Sequence, residues 1–116
     1  MGREFQITSG EFDEEYSQVR RALVATLADF KQTGNGESCV RFDRAQVSVS
    51  ALPDEDDADS VKVRISLDDE CRFGLLKAKL SLDDAYRFNL RSFYIDLGNP
   101  DDDIEETVRA IIDMSK

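Results

Sequence analysis

The side chains best suited to chemistry in this chain are its carboxylates, and they come without the partner that usually puts them to work. Its 116 residues include 25 Asp and Glu and no histidine. A Ser or Cys nucleophile needs an adjacent base, and imidazole, the commonest one, is absent. Two carboxylates could share acid–base work, but at this density such pairs arise from composition alone. The run Asp54, Glu55, Asp56, Asp57 and Asp59 offers oxygens in the manner of a calcium loop. Counting from Asp54, however, position 5 is Ala58, position 6 is Asp59 where the turn wants Gly, and position 12 is Ile65 where a bidentate Glu belongs. Cys39 and Cys71, lacking histidine partners, cannot complete a zinc site of the usual kind unless it is shared between chains. Gly34-Asn35-Gly36 leads into a strand pattern and not a helix, so it lacks the context of a phosphate-binding loop. The expectation is a protein that is no enzyme and holds neither metal nor cofactor.

Composition sets the remaining bounds. Fifteen Lys and Arg against 25 acids give a formal net charge of −10, and 41% of residues are hydrophobic. That supports one packed core in one domain, residues 1–116, and excludes a disordered chain. The opening residues are charged throughout and carry no secretory signal pattern. Met1-Gly2 is followed by Gln6 where a myristoylation motif needs Ser or Thr. No apolar run approaches the roughly 18 residues of a membrane helix. Both cysteines fall in strand-like segments. They could pair if those strands are neighbours, but reduced, packed thiols in a cytoplasmic protein are the preferred reading.

The elements follow from period. Residues 4–8 alternate briefly. From Phe12 the apolar residues Phe12, Tyr16, Val19, Leu23, Leu27 and Phe30 recur at spacings of three and four, one face of a helix. Asp13, Glu14 and Glu15 suit the positive end of its dipole, and Gly34-Asn35-Gly36 suits its close. From 38 to 97 the period is two, with Val47, Val49 and Ala51, then Val61, Val63, Ile65 and Leu67, then Leu76, Ala78 and Leu80. Tyr86, Phe88 and Leu90 continue it. Clean alternation predicts an antiparallel sheet with one packed and one wet face. Segment 82–97 reads as strand, although Leu82, Tyr86, Leu90 and Phe93 also fit a helical face. After Asn99-Pro100, the spacing of Ile104, Val108, Ile111 and Ile112 predicts a second helix. The fold class expected is α+β: an antiparallel sheet of about five strands with two helices packed on one face.

Strand phase then sorts the charges. It sends Lys62, Arg64 and Ser66, Lys77 and Lys79, and Arg87, Asn89 and Arg91 to the outer face; six of these eight are cationic and none is acidic. Asp54, Glu55, Asp56, Asp57 and Asp59 form an acidic rim. Charge arranged this way points to recognition, most of all of another protein, by an inhibitor, an immunity- or antitoxin-type protein, or a chaperone-like module. Nucleic acid or another polyanion on the basic face ranks second, because it meets the net negative charge as long-range repulsion. Phosphate-backbone mimicry by the rim is a further alternative, and a homodimer is possible. The bland explanation is that outward Lys and Arg keep sheet edges from pairing while acids fill turns and cap helices.

EFQITSGEFDEEYSQVRRAL resembles the opening strand and first helix of ribosome-inactivating N-glycosidases, and KLSLDDAYRFNLR is similar to a strand pair ending near that family's substrate-stacking Tyr, here Tyr86. The family's catalytic Glu and Arg lie on a long helix further along, for which this sequence has no matching segment. The resemblance therefore implies neither that activity nor its residues. Small acidic type III secretion chaperones offer a looser likeness of shape and charge.

Overall fold

A computed structural model describes residues 3–8, 11–43, 45–67 and 90–116. The chain runs β1 (Arg3–Gln6), α1 (Phe12–Thr33), β2 (Gly36–Arg41), β3 (Gln46–Pro53), β4 (Ser60–Leu67), β5 (Arg91–Asp96) and α2 (Asp101–Met114). Helix α1 forms where the three–four spacing begins. It starts with Asp13, Glu14 and Glu15 in the first turn and stops at Gly34, whose φ of 83° lets its N–H donate back to the Phe30 carbonyl. Along its apolar stripe Val19, Leu23 and Leu27 are buried. Phe12, at the first helical position, is instead half exposed, its ring 6.2 Å from that of Tyr16.

The five strands lie in the order β1-β2-β3-β4-β5. The three pairings from β2 to β5 are antiparallel, as alternation predicts, but β1 runs parallel to β2, so the sheet is mixed and not purely antiparallel. The cause is the connection. A 22-residue helix separates β1 from β2 and returns the chain to the end where β1 began, as a parallel crossover requires. Of segment 82–97, residues 91–96 are strand; the rest of the segment, up to residue 89, lies outside the described residues.

Register assigns every strand residue to a face. Val47, Val49 and Ala51 stand opposite Leu67, Ile65 and Val63, and Val61 and Val63 stand opposite Ile95 and Phe93. These residues share one face, joined by Val40. They form a single core cluster with Val19, Leu23 and Leu27 of α1 and Val108, Ile111 and Ile112 of α2. No helix among the described residues is long and apolar enough to cross a membrane.

Two polar contacts fasten helices to sheet. Thr26 of α1 and Ser38 of β2 place their hydroxyl oxygens 2.5 Å apart in the interior, and Thr26 also donates to the Ala22 carbonyl at 2.8 Å. A threonine hydroxyl has one proton, so Ser38 must be the donor between them. At the far end, the Asp103 carboxylate in the first turn of α2 accepts the backbone N–H of Asp96 at 2.9 Å. Asp103→Ala is expected to cost about 1–2 kcal/mol, because it removes that bond together with a favourable helix-dipole charge. Asp102→Ala removes only the charge and is expected to cost about 0.5 kcal/mol. Urea midpoints of the two variants check the order.

Candidate recognition surface

The face opposite the core carries Glu4 and Gln6 from β1, Glu37, Cys39 and Arg41 from β2, and Ser48, Ser50 and Leu52 from β3. Lys62, Arg64 and Ser66 of β4 and Ser92, Tyr94 and Asp96 of β5 complete it. In its middle this face is not wet, contrary to the expectation. Cys39 and Ser66 are wholly inaccessible, and Glu37, Ser48 and Ser50 are buried. The Ser50 hydroxyl, between Glu37 and Arg64 in register, is buried without a hydrogen-bond partner among the described residues. Small hydroxyl side chains mark these positions: three serines where a solvated strand face would carry long charged chains.

Cys39 is disulfide-bonded, which corrects the expectation of reduced thiols. Cys71, the one other cysteine in the sequence, lies outside the described residues. A cysteine held in a disulfide gives no ground for a reducing compartment.

The basic residues are only partly brought together. Lys62 and Arg64 share the second face, half-buried. Arg91 does not join them: it stands opposite Ile65 on the core face, and its guanidinium lies 5.3 Å from the centroid of Phe93, two residues along the same face. The physical reason is phase. Phe93 and Ile95 are the inward residues of β5, and a period of two carries Arg91 with them. Lys77, Lys79 and Arg87 lie outside the described residues. Acids also share the second face, among them Glu37, Asp96 and Glu4, the last ion-paired with Arg41 at 2.7 Å.

The acidic rim is a built turn. The Asp54 carboxylate accepts the Asp56 N–H at 3.0 Å, and that of Asp57 accepts the Asp59 N–H at 2.9 Å and the Ser60 hydroxyl at 3.1 Å. Two of the five acids therefore shape the loop, which leaves Glu55, Asp56 and Asp59 facing solvent. The loop is joined to the end of β5 by the Leu97 N–H, which donates to the Asp59 carbonyl at 2.9 Å. Among the described residues no group of acids and cysteines is placed to hold a metal ion.

Next to this rim stands a residue that strand phase had not singled out. Tyr94 is 54% exposed, and Lys62, its neighbour in register, holds its ammonium 5.9 Å from the ring centroid. The sequence signal was the alternation Ser92, Tyr94, Asp96 against Phe93 and Ile95, hidden by reading Arg91 as outward. Elsewhere, Ser17, Arg20, Arg21 and Val24 line a shallow cavity of about 310 Å³ on the outer side of α1. No protein-family model, no curated protein and no solved structure matches the chain.

Proposed function

We propose that the protein is a non-enzymatic recognition module that binds another protein through the corner formed by β4, β5 and the acidic loop. In this reading both helices pack on the face of Val47, Val49 and Ile65, the middle of the second face is buried, and the exposed margin of that face at Tyr94, with the acidic loop, is left for the partner. One observation carries it: an exposed tyrosine with a lysine ammonium 5.9 Å from its ring centroid, on the strand whose end is hydrogen-bonded to the loop of solvent-facing Glu55, Asp56 and Asp59. Tyrosine supplies a large, rigid contact area, and surrounding charges set encounter rate and specificity more than affinity. Inhibition, immunity or chaperoning would each use such a surface.

The polyanion reading has less support, since the described cations on the second face are Lys62, Arg64 and Arg41, the last ion-paired with Glu4, and acids stand among them. Capture from native lysate tests the choice, with wild type, Tyr94→Ala and a Glu55→Gln/Asp56→Asn/Asp59→Asn triple variant as baits. The expected result is one stoichiometric protein, weakened at least tenfold by Tyr94→Ala and bound more weakly by wild type as salt rises. Nucleic acid recovered in its place, or a partner indifferent to both variants, would overturn the proposal. Recovery of a nucleic-acid-binding enzyme that competes with DNA or RNA would point instead to mimicry by the rim.

A further inference from the structure

Among the described residues nothing pairs with the outer edge of β5, and the pattern of its outward groups is self-complementary. Asp96 directs its N–H away from β4, to the Asp103 carboxylate, while the Leu97 N–H points inward, to the Asp59 carbonyl. Alternation along an antiparallel strand then fixes the others: Arg91, Phe93 and Ile95 bond to β4, and Ser92 and Tyr94 direct both N–H and C=O outward. No described group meets those four, and both residues are exposed at the surface. Asp103 thus closes the edge at one end and leaves a window two outward residues long.

We propose that this window pairs with the same window of a second copy, antiparallel and about a two-fold axis, joining two five-stranded sheets into one. With Phe93 opposite its own equivalent, each Ser92 faces Tyr94 of the other copy and the two exchange N–H···O=C bonds. Four bonds form, and they use the outward N–H and C=O of Ser92 and Tyr94 on both edges. A shift by two residues in either direction strands a pair or meets the Asp96 N–H that Asp103 already occupies. In this register Arg91 stands opposite Ile95 of the other copy on the core face, while Asp96 belongs to the second face, so the direction and register rest on where the amides point and not on charge.

The opposing term is net charge, −10 on each copy. At about 0.15 M salt the screening length is about 8 Å, which spares the contacts at the edge and removes most of the repulsion between whole copies. At about 0.01 M it is about 30 Å, and that repulsion returns. Self-association is therefore expected to strengthen as salt rises to physiological levels, the opposite sign to the partner binding proposed above, so the two proposals succeed or fail separately.

Analytical ultracentrifugation of the purified chain tests the pairing. The weight-average mass should climb from 13.1 kDa toward twice that value with concentration, and climb less at low salt. Ser92→Pro deletes one outward N–H at an edge position where proline fits, and should hold the protein monomeric with an unchanged circular dichroism spectrum. Amide exchange in the wild type gives an answer independent of any variant: Ser92 and Tyr94 should become protected as concentration rises. A chain that stays at 13.1 kDa up to about 1 mM, or a dimer that protects other amides, would overturn the pairing.

Discussion

Gly36→Ala is expected to cost more than the same change at the other described glycines, about 3 kcal/mol or more, and to leave little folded protein at ambient temperature. The glycine begins β2 on the core face, under α1. An added Cβ would lie 2.2 Å from the Thr26 carbonyl oxygen, 3.1 Å from its carbon and 3.2 Å from Cγ2 of the same residue. A side-chain clash can be relieved by rotation, but this one meets helix backbone. Nor can the strand retreat easily, because Ser38, two residues on and on the same face, is hydrogen-bonded to the Thr26 side chain. Helix and strand would have to part by roughly an ångström along a contact that is otherwise close-packed. The gain from a stiffer unfolded chain, about 0.4–1 kcal/mol, is too small to compensate. Gly34→Ala is the informative control. Its φ of 83° is strained for alanine, but nothing stands within 4 Å of the new methyl. It is expected to cost about 1–2 kcal/mol, by backbone conformation alone. Urea unfolding of the two variants separates the effects, and a Gly36→Ala loss no larger than that of Gly34→Ala would refute the close approach.

Neither of those glycines is distinguishable from the other in the sequence, where Gly34-Asn35-Gly36 reads only as punctuation. This marks the boundary of what local pattern reveals. Period identified α1, β3, β4 and α2, because each buries a stripe of branched apolar residues whose spacing matches its geometry. Hydrogen-bonding direction between β1 and β2 was not legible in the alternation of either strand, since parallel and antiparallel neighbours share a period of two; it depended on the length of α1 between them. The placement of Arg91 differs from the expectation for a related reason. Alternation says which residues share a face only within an unbroken strand, and Arg91 was counted from Arg87 and Asn89, across the break that precedes β5. Counted from Phe93 and Ile95 it belongs to the core face. The burial of Ser48, Ser50 and Ser66 was visible as composition, three short hydroxyl side chains, but solvent and a covering layer both accept serine. The open window on β5 required knowing where two amides point, which is a property of pairing and not of residue type.

Ile65→Ala is the second large effect, expected at about 2–5 kcal/mol with no change of fold. Ile65 is wholly inaccessible and stands in register between Val49 and Arg91, in the cluster that also holds residues of both helices. Three losses combine. The removed carbons forfeit their transfer from water, the cavity left behind forfeits dispersion contacts, and alanine gives up a β-branched residue's preference for a strand, worth up to about 1 kcal/mol. Collapse of the surroundings is restrained, since Val49, Val61 and Val63 are themselves fixed by the register of β3 and β4. A domain of this size is typically stable by about 5–15 kcal/mol, so the variant should unfold at a markedly lower urea concentration while keeping the wild-type slope. Ile65→Val removes one methylene and should cost about 0.5–1.5 kcal/mol. Val24→Ala, on the exposed side of α1, should lie within about 0.5 kcal/mol of wild type. The graded series is the decisive observation: if Ile65→Ala and Val24→Ala proved equally mild, β4 would not carry the core face assigned to it, and Lys62 and Arg64 would lose the phase that places them beside Tyr94.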